Sequence, residues 1–193
     1  MQNFLLAFIP MFVAVDAIGN VPFFLSLTEG FSPAERSRVA KVSVLVATVI
    51  ILVFVVGGRL IFLLMGITLI DVRIAGGILL LAFSIHMLLT GKSQLTGTED
   101  IAIFPLASPL LAGPAVLTIT LVLSKSRGPL ITLASVVINM AIAWVCFRYA
   151  SSVERILTRQ GTKAFSKVVE ILLAAIAIMM IRHGVTEYLA SLG

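Results

Sequence analysis

The chain reads as an all-α membrane protein. Six transmembrane helices are expected, arranged as two inverted three-helix repeats, with the first and fourth helices broken near the midplane. Three observations lead there. Of 193 residues, 60% are hydrophobic and only 12% charged, far from the roughly half and quarter of globular domains. Apolar runs recur at the length of about 18 residues or more that crosses a hydrocarbon layer of about 30 Å. Two of those runs, one in each half of the chain, are interrupted near their middle by glycine and proline. Paired interruptions in corresponding segments are the sequence mark of a binding site between inverted repeats.

The six apolar segments fall at residues 4–28, 42–65, 72–90, 101–124, 130–147 and 168–190. No basic stretch precedes the first and no small-residue cleavage site follows it, so it is expected to be retained as a helix. Its centre is Asp16-Ala17-Ile18-Gly19-Asn20-Val21-Pro22. Glycine and proline cost roughly 1 and 3 kcal/mol relative to alanine inside a helix, and a charged Asp at bilayer depth adds about 2.5–3.5 kcal/mol. Three such costs together predict a break. Asn20 is expected to cap a second half-helix with Pro22 in its first turn. Broken backbone at membrane depth is tolerated only against protein or a water-filled cavity. Asp16, Gly19 and Asn20 are therefore candidate ligands for a solute or ion. The plain alternative is a kinked helix whose Asp bonds its own backbone.

Further along, Ser32-Pro33-Ala34-Glu35 carries a cap, a first-turn proline and a third-position carboxylate, so the second helix is expected to start near Ser32. Arg73 opens the third segment. It either snorkels to the headgroups or supplies a counter-charge to a substrate carboxylate or to Asp16. Gly76 and Gly77 are expected to permit close helix packing. The polar, glycine-rich stretch 91–100 is the best linker. It divides the chain into repeats at 1–92 and 101–193 with a linker at 93–100. The halves echo each other at an offset of about 93–94 residues: Gly19-Asn20 with Gly113-Pro114, Leu27 with Leu121, Met87 with Met180, Gly91 with Gly184.

The fourth segment carries Pro105, Pro109 and Pro114. Each removes a backbone donor and biases the preceding residue away from helix. Residues 108–114 are expected to be non-helical and to lie beside 16–21. Their contribution to a site would be backbone groups around Gly113 and the Ser108 hydroxyl. Asn139, a polar group in the fifth segment, is expected to bond a neighbouring helix. Residues 148–167 are expected to form a short interfacial helix ending at Gly161, and Glu170 to pair with Lys167 or Lys163.

The net charge of +5 lies mostly in the connections and is not evidence for nucleic acid. With six crossings, Arg36, Arg38, Lys41, Lys92, Arg148, Arg155, Arg159, Lys163 and Lys167 share one side. The positive-inside rule then turns both termini away from the cytoplasm. Cys146 is the only cysteine, so no intrachain disulfide and no cysteine metal cluster is expected. No Ser/His/Asp set, zinc-ligand spacing or phosphate loop occurs, so neither enzymatic activity, catalytic residues, metal nor cofactor is expected.

Three motifs carry a family resemblance: Asp16-x-x-Gly19-Asn20-x-Pro22, Arg73-Ile74-Ala75-Gly76-Gly77, and Pro105-Leu106-Ala107-x-Pro109-x-x-Ala112-Gly113-Pro114. In this order and spacing the chain resembles the MarC-like integral membrane proteins over nearly its whole length. The resemblance implies a bacterial or archaeal inner-membrane protein of six helices, related in kind to small exporter-type transporters. Some such proteins are linked to transport of alanine, glycine and similar neutral amino acids. The chain departs from the pattern at Ala17, where proline is usual, and at Glu170, where glycine is usual.

The function expected is a secondary transporter of small neutral amino acids or similar solutes, driven by a gradient. Asp16, Gly19, Asn20, Ser108, Gly113 and Arg73 would bind substrate or a coupling H⁺ or Na⁺. The alternatives are a channel-like pore, in which the same groups line a passage, and a non-transporting membrane subunit. Expected partners are the small-molecule solute and membrane lipid, with homo-oligomer formation compatible with such a chain.

Overall fold

The structure, a computed structural model, describes residues 2–90, 97–150 and 159–192. All regular structure among them is helical. The first segment is split into α1 (Gln2–Val15) and α2 (Val21–Leu27), followed by α3 (Pro33–Met65) and α4 (Leu69–Thr90). A single turn, α5 (Thr98–Ile101), leads into an irregular stretch of wide turns at Ala102–Leu111. Then come α6 (Pro114–Arg127), α7 (Pro129–Tyr149) and α8 (Arg159–Ala190). Four helices are individually long and apolar enough to cross a membrane, or five if Thr98–Leu111 and Pro114–Arg127, bent by 56°, count as one. At 14 and 7 residues, α1 and α2 are each too short to span alone.

Local chemistry sets the starts of α3 and α4. Ser32 accepts from the Glu35 N–H at 3.3 Å while its own N–H donates to the Glu35 carboxylate at 2.7 Å, with Pro33 in the first turn as expected. This reciprocal cap satisfies two donors that the helix cannot. Thr68 and Asp71 repeat the device at the start of α4, with bonds of 2.7 and 3.3 Å. The expected linker fares differently: residues 91–96 lie outside the described residues, and Thr98–Asp100 belong to α5.

The helices pack mainly across the two halves. α4 lies along α8 and α3 along α7. α1 packs on α7, as the 102–111 stretch packs on α3, and α1 also meets α6. The α4–α8 seam is tight because glycines line it. A Cβ on Gly77 would stand 2.9 Å from the Ala177 carbonyl oxygen, and one on Gly184 would stand 2.5 Å from Ile74 Cγ1. Backbones can approach this closely only without side chains, which is how helices associate in lipid. Stacked rings of Phe24 and Phe147, 4.6 Å apart, tie α2 to α7, and an edge contact of Phe83 with Phe104 at 5.6 Å ties α4 to the irregular stretch. Outside this core the surface is apolar, with Val56, Leu89 and Leu130 at least four-fifths exposed (84%, 81%, 80%). Apolar exposure on this scale belongs in hydrocarbon, not water.

The polar connections meet at one end. Ser166 donates to Glu29, Arg38 pairs with Glu99, and Arg36 Nε donates to the Thr28 carbonyl at 3.2 Å. These contacts gather the turn after α2, the start of α3, the third turn of α8, and α5. Lys167 pairs with Glu170 at 2.7 Å, as expected.

Two expectations are corrected. Gly161 does not end a helix: α8 runs through it from Arg159, because glycine costs only about 1 kcal/mol in a helix interior and a 32-residue helix absorbs that. The rest of the expected interfacial helix, residues 151–158, lies outside the described residues. Asn139 does not bond a neighbouring helix. Its amide donates to Ser135 O one turn back in α7 at 2.9 Å, and its buried carbonyl oxygen has no partner.

Candidate functional site

The first break is made by Asp16. Its φ of 43° lies in the left-handed region, which Asp visits more readily than most residues, and α1 cannot propagate through it. The carboxylate then accepts the Gly19 N–H at 3.0 Å, and the Asp16 carbonyl accepts the Asn20 N–H at 3.0 Å. A Cβ on Gly19 would fall 2.1 Å from Asp16 Oδ2, so this closed turn needs glycine there. Pro22 sits in the first turn of α2 as expected. Asn20 stands at the N-cap position, but its side chain does not cap α2. It turns back and donates to the Val15 carbonyl at 2.9 Å, closing the end of α1. The reason is local: the turn already satisfies the backbone on the α2 side, whereas Val15 O, one residue before the left-handed step, has lost its helical donor.

The second break has another construction. Phe104 and Ser108 take extended dihedrals ahead of cis peptide bonds to Pro105 and Pro109. The Ala112 N–H reaches the Ala107 carbonyl at 2.8 Å, and α6 then starts with Pro114. A Cβ on Gly113 would lie 2.3 Å from the Pro109 carbonyl oxygen, a backbone atom that cannot step aside. Of the residues 108–114 expected to be non-helical, Ser108, Ala112 and Gly113 are, whereas Pro109–Leu111 keep wide helical turns and Pro114 already belongs to α6.

Both breaks open onto one cavity of about 640 Å³. Asp16 and Asn20 line it from the first break; Pro109, Leu110 and Gly113 through Val116 line it from the second. Arg73 of α4 and His183 and Glu187 of α8 line it as well. Ile176 to Glu187 is eleven helical steps, so the cavity extends about 16 Å along α8. The Asp16 side is negative and exposed. Opposite signs come from the Arg73 guanidinium and the N-terminus of α6, where unsatisfied N–H groups and the helix dipole favour an anion. Arg73 pairs with Glu187 at 2.6 Å, its side chain 17% exposed against 53% for the glutamate.

Four of the six residues singled out from sequence therefore meet at this cavity: Asp16, Asn20, Gly113 and Arg73. Gly19 is behind it, bonded to Asp16, and Ser108 is half-buried and not among the lining residues. His183 and Glu187 were not expected. A signal for Glu187 was available, since antiparallel third and sixth segments bring the start of one level with the end of the other. A second, larger cavity of about 800 Å³ lies between α3 and α6. It is walled by Phe54, Val55, Phe62, Leu63 and Leu121 and by the turn at Gly66–Thr68 between α3 and α4, and neither helix break reaches it.

Fold and site together define a polytopic helical membrane protein with two discontinuous segments converging on a charged cavity. The sequence profile of the MarC family of integral membrane proteins matches residues 1–189, and the chain belongs to that family. It is 32% identical to a UPF0056 membrane protein of Archaeoglobus fulgidus, over 98% of this chain and 95% of that one. A UPF0056 membrane protein of Methanocaldococcus jannaschii is 33% identical over 96% of this chain and 97% of its own. YvbG, the UPF0056 membrane protein of Bacillus subtilis, is 30% identical over 92% and 91%. No solved structure matches the chain.

Proposed function

We propose that this protein is a gradient-driven secondary transporter of small neutral amino acids or similarly small zwitterions. One observation carries the reading: the exposed Asp16 carboxylate and the Arg73 guanidinium share a single cavity with both helix breaks. A zwitterion needs an anion for its ammonium and a cation or helix N-terminus for its carboxylate, and this cavity offers both signs across its length. Asp16 takes the ammonium group, a coupling proton or Na⁺; the α6 N-terminus and Arg73 take the carboxylate. The chain has no phosphate-binding loop, so the driving force is an ion gradient or the solute's own.

The same reading makes the chain two inverted repeats, residues 1–92 and 101–193, six crossings in an inner membrane. Its support is the contact pattern: α3 with α7 and α4 with α8 pair counterparts, and α1 on α7 mirrors the 102–111 stretch on α3. The test is counterflow in liposomes holding purified protein. Labelled alanine or glycine should accumulate against preloaded unlabelled solute and saturate, with or without Na⁺ and proton gradients. Flux at single-channel rates would point to a pore, and no flux for any neutral amino acid would retire the transport reading.

A further inference from the structure

We infer that Glu187 is a built-in stand-in for the substrate's carboxylate: it holds Arg73 when the cavity is empty and yields it when substrate enters. The inference deepens the transport reading and rests on it. Arg73 is pinned. It stands in the first turns of α4, its side chain mostly buried at 17% exposure, on a helix seamed to α8 through Gly77 and Gly184. A guanidinium so enclosed in an apolar bundle needs an anion beside it at all times. Glu187 supplies one through a single contact, Nη1 to Oε1 at 2.6 Å, whereas a guanidinium fork can take a carboxylate through two.

Glu187 is the replaceable partner. Its side chain is 53% exposed, and it sits one turn from the end of α8 at Ala190, where helices fray. An amino-acid carboxylate is the same chemical group as the one it displaces, so Arg73 is never left bare and the exchange is close to balanced. His183, one turn earlier on α8, and Asp16 at the far side are the other titratable groups on the cavity wall. Glu187 thus sets specificity in two ways. It excludes amines that have no carboxylate to offer Arg73, and it weakens binding of those that do, so that substrate is released.

The exchange can be read at Arg73 itself. Phenylglyoxal labels accessible guanidinium groups, and peptide mass spectrometry reports the rate at Arg73. In Glu187→Gln, whose amide oxygen still offers the guanidinium one acceptor and whose folding is checked by its elution as a monodisperse peak, labelling should quicken several-fold. Alanine should restore protection in that variant, while alaninamide, which lacks the carboxylate, should not. In liposomes the same variant should show a KM for alanine lower by about two- to fivefold, the factor expected on removing a weak competing ion pair. Equal labelling of wild type and variant, protection by alaninamide, or a KM that is unchanged or raised would overturn the exchange. Wild-type protein that shows carboxylate-specific protection yet no counterflow would instead overturn the transport reading alone.

Discussion

The Asp16 carboxylate accepts the Gly19 N–H yet stays exposed to the cavity, so one residue both shapes the break and presents a charge. Those two roles separate in Asp16→Asn. The amide oxygen still accepts the bond, while the charge is gone. Uptake of labelled alanine should fall at least about tenfold, since tenfold is only about 1.4 kcal/mol and a hydrogen bond to a charged group is worth about 1.5–3 kcal/mol. Melting of the purified variant should stay close to wild type. Retention of full uptake would reduce Asp16 to a turn residue. Asn20 gives the reverse pattern. Asn20→Ala orphans the Val15 carbonyl in a buried position, and should cost about 1–3 kcal/mol in unfolding measurements. Gly113→Ala drives a Cβ to within 2.3 Å of the Pro109 carbonyl oxygen, an overpacking that should destabilise by about 1–3 kcal/mol.

Among the elements, what was legible in sequence was what neighbouring residues decide among themselves. Ser32 and Glu35 cap α3 because the motif is complete within four residues, and the clustered Gly and Pro of both breaks disrupt helix whatever surrounds them. Gly76 and Gly77 read as packing residues, and Gly77 does meet the α8 backbone. The misses have a different origin. Gly161 signals a helix end only if nothing downstream sustains the helix, and α8 does. Asn139 found an acceptor on its own helix, Ser135 O, before any neighbour. The side chain of Asn20 turned backward because the Asp16 turn had already closed the forward end. At this scale Gly77→Val is the informative change. It should force α4 and α8 apart, costing about 1–3 kcal/mol and lowering the temperature at which purified protein leaves its monodisperse peak on heating.

For the molecule as a whole, the gathering of polar connections at one end was foreseeable from charge and the meeting of the two breaks from their paired Gly and Pro, whereas the reach of one cavity from Asp16 to Arg73 was left open. Depth along the chain alone separates Asp16 from Arg73 by half a membrane; only the antiparallel packing of α4 and α8 shows that one cavity reaches both. The same end-to-end asymmetry predicts orientation. Nine basic residues within 29–41, 91–100 and 148–167 should hold that end in the cytoplasm and both termini outside. A cysteine introduced at Thr98, beside the Arg38–Glu99 pair, should resist an impermeant thiol reagent in intact cells and react after permeabilisation. Ready reaction from outside would invert the molecule.

The joint between α6 and α7 is a single residue, Gly128, at φ 87°. Between α2 and α3, by contrast, lie residues 28–32. One half-helix at the cavity is thus joined to its neighbour by one residue, and the other by a five-residue turn that is bonded to Arg36 of α3 and Ser166 of α8. Any motion that opens the second break must swing α6 and α7 as one lever, with its fulcrum at the far tip, whereas α2 shifts against α3 by giving up the bond from Arg36 to Thr28. The two halves of the chain therefore have unequal mechanics, and the stiff arm belongs to the half that carries no acid at its break.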